Sequence, residues 1–230
     1  MPPTRTVMIL GFESPEELME YRTAAFDPEL MAEFYTVPKN NLLFFIFYDL
    51  RDSVKFTENF RNPRIKAFYT ISKYEIPRKG EECTEKSLQS TICFIFNNLD
   101  VSIEDDFVIS FLSQYGNIRN LKDSEVAQKT IEFYSIKDAR KAFSSLNGTS
   151  FGTGEIKCSW SWDIALKERI EYIRLTDAFI KKGFTCETSP VKRPKIDIPA
   201  DGDKNILLKL FDQFIARNIN EIEKKVKEIL

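Results

Sequence analysis

Histidine is absent from the 230 residues, and cysteine and glycine are scarce, at four and eight. Without an imidazole the chain has no ordinary base titrating near neutral pH, no Ser-His or Cys-His nucleophile and no mixed Cys/His zinc set. The cysteines, Cys83, Cys93, Cys158 and Cys186, form no C-x-x-C pair, so reduced thiols are expected. No apolar run approaches the ~20 residues that span a bilayer. The opening MPPTRTVMILGF carries one Arg and a short apolar stretch, with no small-residue cleavage pattern before Glu13. It reads as a strand rather than a secretory signal. The expected location is therefore intracellular, nuclear or cytoplasmic, with no membrane partner. An overall basic charge is missing as well: 33 Lys and Arg stand against 35 Asp and Glu, for a net charge of −2. Bulk charge therefore does not advertise a polyanionic partner. No spaced acidic cluster stands out, so no enzyme, catalytic residue, cofactor or metal ligand is expected.

What is present is a repeat. FIFYDLRDSVKF (45–56) and IEFYSIKDARKAF (131–143) both run an aromatic-rich strand straight into a charged helix. Phe47-Tyr48 and Phe133-Tyr134 lie 86 residues apart, as do Asp52 and Asp138, and Lys55 and Lys141. Two long copies point to a duplicated domain rather than a solenoid.

Each copy has one order of elements. In the first, 6–12 is an apolar strand, and Ser14, Pro15 and Glu17 open a helix as cap, first-turn proline and capping-box acid. Strands follow at 33–37 and 42–48, then a helix at 49–60 with Leu50, Val54 and Phe60 inward, and a last strand at 65–76. In the second, strand 91–99 precedes a helix capped by Ser102 and ending at Gly116. Strands 117–122 and 129–134, helix 136–148 and strand 155–160 complete it. The order β-α-β-β-α-β, twice, predicts an α+β class: two ferredoxin-like domains, each a four-stranded antiparallel sheet with both helices on one face. The expected layout is 5–76, a linker at 77–89, 90–162, a helix at 163–183 that packs on one of the domains, a polar linker at 184–203 and a C-terminal helix at 204–230.

The order and particular residues resemble the RNA recognition motif (RRM). The carriers are Asn98-Leu99, FLSQYGNI (111–118), IEFYSIKDARKAF (131–143) and LNGTSFGTGEIK (146–157). The junction Tyr48-Asp49-Leu50-Arg51, with Tyr35-Thr36 and Ile76-Pro77, is most similar to the tandem RRMs of the Mei-two-like meiosis regulators. The resemblance covers roughly residues 5–162. The third, C-terminal RRM of that family has no counterpart in 163–230.

The resemblance implies single-stranded RNA as partner, bound on the sheet face away from the helices, where bases stack on rings for roughly 1–3 kcal/mol each. One stacking position lies on the first strand and two on the third. They carry over to Met8, Leu42 and Phe44 in the first copy and to Ile95, Gln128 and Thr130 in the second. The first copy thus keeps one ring and the second none, so the first is expected to do most of the binding. Arg119, Lys122, Lys129 and Lys157 are candidate RNA contacts around the second platform, and Arg78 and Lys79 in the linker. An apolar platform of Met, Leu and Phe has another reading: it is covered by a helix or a protein partner. Trp160 and Trp162 are expected in core or inter-domain packing.

Beyond the repeats, Asp163 reads as a cap for a helix with Leu166, Ile170, Ile173 and Ile180 as its apolar stripe. Residues 185–203 read as a Pro-rich linker, and KRPK (192–195) as a minimal basic cluster of the nuclear-import kind. In 204–230, Leu208, Phe211, Ile215, Ile219, Ile222, Val226 and Ile229 step by three or four. That heptad-like seam suits either docking on the chain's own domains or a coiled coil with a protein partner or a second copy.

Overall fold

The computed structural model describes residues 1–78, 80–97 and 103–181, all within one compact unit. Asn98-Leu99, Ser102, Lys79, the linker at 184–203 with its KRPK cluster, and the helix expected at 204–230 lie outside the described residues.

The first repeat comprises β1 (Thr6–Leu10), α1 (Pro15–Ala25), β2 (Met31–Val37), β3 (Leu42–Phe47), α2 (Leu50–Asn59) and β4 (Lys66–Thr70). The second comprises β5 (Thr91–Asn97), α3 (Asp105–Leu112), β6 (Ile118–Ser124), β7 (Gln128–Phe133), α4 (Ile136–Leu146), β8 (Thr149–Phe151) and β9 (Gly154–Ser161). A further helix, α5 (Leu166–Lys181), follows. The sheets are antiparallel, ordered β2-β3-β1-β4 and β6-β7-β5-β9-β8. The two α+β ferredoxin-like domains are therefore present. The second gains a fifth strand, because 149–151 pairs with the start of β9 as a hairpin edge.

Local chemistry sets the helix starts. Ser14 Oγ accepts the Glu17 amide at 3.2 Å, and Pro15 opens α1. Asp49 Oδ1 and Ser135 Oγ accept the amides of Arg51 and Lys137, at 2.8 and 3.1 Å, each filling one of the orphan donors of α2 and α4. α3 starts at Asp105, and its cap Glu104 makes no side-chain cap bond. β1 ends at Gly11, whose φ of +104° and 2.7 Å approach of Arg64 O to a would-be Cβ both demand glycine.

Strand alternation sorts the residues into faces. Val7, Ile9, Leu43, Phe45 and Phe47 form the helix-side core of the first repeat with Leu18, Phe56 and Phe60. Leu50 is buried, whereas Val54 is only half-buried and stands outside that cluster, so α2 turns Phe56 inward instead. In the second repeat Ile92, Phe94, Phe96, Ile131, Phe133 and Ile156 meet Val108, Leu112, Ala139 and Ala142. Trp160 lies flat on Phe143 at 4.8 Å.

Candidate nucleic-acid interface

On the other face of the first sheet the register draws up a single row. Tyr35 is opposite Phe44, Phe44 opposite Met8 and Met8 opposite Phe68, one residue from each strand. Tyr35 and Phe44 stack at 4.6 Å and 7°. Met8 and Phe44 thus share the face away from the helices, and Tyr35 and Phe68 on the flanking strands add two rings that the sequence reading did not count. The strand alternation of EFYTV and KAFYT carried that signal.

The platform is not open. Met8, Leu42 and Phe44 are buried, at 0, 3 and 6% exposure, in a cluster completed by Leu10, Tyr35, Val37, Phe68, Phe179 and Ile180. The cover is α5. Phe179 stacks on Phe68 at 4.5 Å, Thr176 Oγ1 hydrogen-bonds Thr70 Oγ1 at 2.7 Å, and Tyr172 Oη donates to Pro2 O at 2.7 Å. Buried Arg169 donates to Glu75 O at 3.1 Å and lies 4.2 Å over the Trp162 ring. So the first-copy residues expected to meet RNA meet a helix instead. The physical reason is that three adjoining apolar side chains on an open face are costly to leave in water.

The inward face of α5 also differs from the stripe expected. Arg169, Tyr172 and Thr176 are buried, while Leu166 is half exposed and Ile170 and Ile173 are only partly covered. Polar side chains with partners on the sheet edge set the helix's rotation. Asp163 does not cap α5. Its carboxylate takes Thr91 Oγ1 at 2.6 Å, the Ser90 amide at 3.0 Å and the buried Arg5 guanidinium. Asp163 thereby ties the exit of the second repeat to the first strand of the first.

The second sheet presents a different face. Thr130 is opposite Cys93, and Cys93 opposite Ser159; Gln128 is opposite Ile95, and Ile95 opposite Lys157. Lys157 and Ser159 are exposed, Ile95, Gln128 and Cys93 half-buried and Thr130 buried. The register makes Cys93, not Ile95, the counterpart of Met8, since Phe44 and Thr130 are 86 residues apart and face Met8 and Cys93. The first strands are offset by 85 rather than 86: Phe47 and Phe133 donate to the carbonyls of Arg5 and Ser90. Ile95 stands 87 positions from Met8, two residues further along the same face of β5 than Cys93.

Three of the four basic candidates are engaged. Lys129 has the parity of Ile131 and Phe133, so it turns to the helix side. Its ammonium is buried, 2.6 Å from Asp105 Oδ1 and 2.7 Å from Ser124 Oγ. That corrects its expected place beside the platform. The Lys129 hydrogen bond, then that of Ser124, holds the Asp105 carboxyl below its ordinary value. Arg119 Nη1 is 2.6 Å and Lys122 Nζ 3.3 Å from the buried Glu132 carboxylate, and Lys122 also donates to Asp163 O. Burial pushes the Lys122 ammonium down, and Glu132 pulls it back. Both cations line the sheet edge and share that one carboxylate, which balances one of their two charges. Only Lys157 of the four stands exposed without a described ion pair.

No family model matches the chain. Among curated proteins, Protein MEI2-like 4 of Oryza sativa subsp. japonica is 25% identical over 162 residues, which is 69% of this chain and 16% of that protein. Protein MEI2-like 4 of Arabidopsis thaliana is 27% identical over 126 residues, 54% of this chain and 14% of its own length. The chain therefore spans less than a fifth of the curated relatives it matches. Among solved structures, the Rna15 RRM is 21% identical with a TM-score of 0.29, covering 33% of this chain and 92% of that one. The Sxl-lethal protein in complex with RNA is 16% identical with a TM-score of 0.27, covering 68% and 99%. Over 54 to 69% of its length the chain is similar to MEI2-like proteins. No helix among the described residues is long and apolar enough to cross a membrane.

Proposed function

We propose that the chain is a binding protein for single-stranded RNA, acting in RNA processing or fate, with modest affinity and no catalysis. The supporting observation is the face of the second sheet turned away from α3 and α4. There Ile95, Gln128, Cys93 and Thr130 share one face with exposed Lys157 and Ser159, and no apolar cluster forms over that side among the described residues. Lacking rings, that face holds RNA by polar and backbone contacts and by Lys157 rather than by base stacking. The first sheet takes part only where α5 is displaced. The test is fluorescence anisotropy of a labelled random-sequence RNA oligonucleotide at several salt concentrations. Affinity falls as salt rises, and Lys157→Ala lowers the slope of log K against log salt by about 1. Absence of binding at low salt defeats the proposal.

A second reading is favoured by two observations: the first platform is filled from within, and Arg119, Lys122 and Lys129 are paired. On that reading the repeats are a protein-interaction scaffold, and the segment 204–230 recruits the partner or a second copy. It predicts no RNA affinity, with partner capture lost when 204–230 is removed.

A further inference from the structure

The strand-to-helix junctions that reveal the repeat also meet in space. The Ile136 amide donates to Tyr48 O at 2.9 Å, and the Leu50 amide donates to Tyr134 O at 3.0 Å. Between them Asp49 and Ser135 form an isolated antiparallel bridge. Lys137 Nζ lies 4.1 Å from the centroid of the Tyr48 ring, and the Arg51 guanidinium 4.8 Å from that of Tyr134. Every residue in this set has its counterpart 86 positions away: Tyr48 and Tyr134, Asp49 and Ser135, Leu50 and Ile136, Arg51 and Lys137. Residue i of one copy touches residue j of the other, and j touches i, which is the pattern of an isologous interface.

We infer that the Phe-Tyr junction is a self-docking edge, whose fitting partner is a second copy of the same junction, and that this docking fixes the orientation of the two repeats. The inference does not rest on RNA binding. The chemistry is local. Leu50 and Ile136 are the first residues of α2 and α4, where amides have no acceptor within the helix. Tyr48 and Tyr134 lie just past the ends of β3 and β7, where the sheet ladder has stopped. Each copy thus exposes one orphan donor and one orphan acceptor, spaced so that a second copy satisfies both. Apolar Leu50 and Ile136 are buried, at 6 and 0% exposure, which dries the two bonds. A cation one position further on reaches the partner's tyrosine face. The copies differ in detail. Asp49 binds the Arg51 side chain through Nε at 3.0 Å and Nη2 at 2.6 Å, whereas Lys137 also donates to Glu29 O at 3.0 Å. The other ties between the repeats, Arg5 to Asp163, Arg140 to Glu85 of the linker and the docking of α5 on the first sheet, obey no such reciprocity.

The test uses the full chain and residual dipolar couplings, which report whether both repeats share one alignment tensor. Leu50→Pro removes one amide at a helix position that accepts proline, and Asp49, at φ −113° and ψ 133°, already has the backbone proline requires before it. The double variant Arg51→Ala/Lys137→Ala leaves the backbone untouched and serves if the proline variant does not fold. The expected result is one tensor for the unmodified chain and two different tensors in the variants, with the couplings inside each repeat unchanged. Two tensors in the unmodified chain overturn the inference. So does one shared tensor in the folded variants, because the Arg5 and Arg140 ties and the docked α5 then set the orientation.

Discussion

Phe179 is the residue on which access to the first sheet turns. It stacks on Phe68 as a base would, at the end of the row Tyr35, Phe44, Met8 and Phe68. Phe179→Ala is expected to cost about 1–3 kcal/mol of stability, because the ring is only part buried. The same change should raise affinity for the labelled RNA, and adding Phe44→Ala should reverse the gain. Chemical denaturation and anisotropy check the two halves. At the far side of the molecule, Lys129 and Asp105 make a pair whose pH dependence has a definite sign. The Asp105 carboxyl is held low by Lys129 and Ser124. Its stabilising effect is therefore complete above the unfolded value of about 4 and is lost as pH falls through the lower folded value. The thermal midpoint of Asp105→Asn should lie below that of the unmodified chain at neutral pH, and the gap should close in acid. A gap independent of pH would assign the loss to packing rather than charge.

The elements followed from periodicity where one face was plainly apolar. β3 and β5 were legible because short, near-continuous apolar runs rich in Phe and Ile leave little choice at that length. So was α4, read at 136–148 and found at Ile136–Leu146. What periodicity could not give was the rotation of α5: its buried positions are Arg169, Tyr172 and Thr176, chosen by hydrogen bonds to residues about a hundred or more positions away. Nor could it show that Asp163 latches onto Arg5, Ser90 and Thr91, because that bond joins two distant strand starts. Gly116 offers a test at this scale. A Cβ there would stand 2.1 Å from Cγ of Asp138, in the first turn of α4. Gly116→Ala is expected to destabilise by about 1–3 kcal/mol through overpacking. Most of that loss should vanish in an Asp138→Gly background, since the added methyl would also stand 2.3 Å from Asp138 Cβ, which alanine would keep, and the two sites couple directly. Equal losses in both backgrounds would place the strain in the backbone instead.

The whole molecule joins two sheets of unlike character through reciprocal junctions. One carries an aromatic row under α5; the other carries buried Thr130, half-buried Cys93, Ile95 and Gln128 and exposed Lys157 on one face. The α+β duplication and the faces of the platform residues were legible, because an 86-residue offset and a two-residue alternation are properties of the chain itself. The cover of the first platform was legible only as one of two readings, because it comes from a helix more than a hundred residues away from β3. The direct measurement is amide chemical-shift mapping during titration of the full chain with single-stranded RNA. The account predicts shifts in β5, β7 and β9, around Ile95, Gln128 and Lys157, with β1, β3 and α5 unmoved until Phe179 is replaced. Shifts centred on Met8, Leu42 and Phe44 in the unmodified chain, or no shifts anywhere, would contradict it.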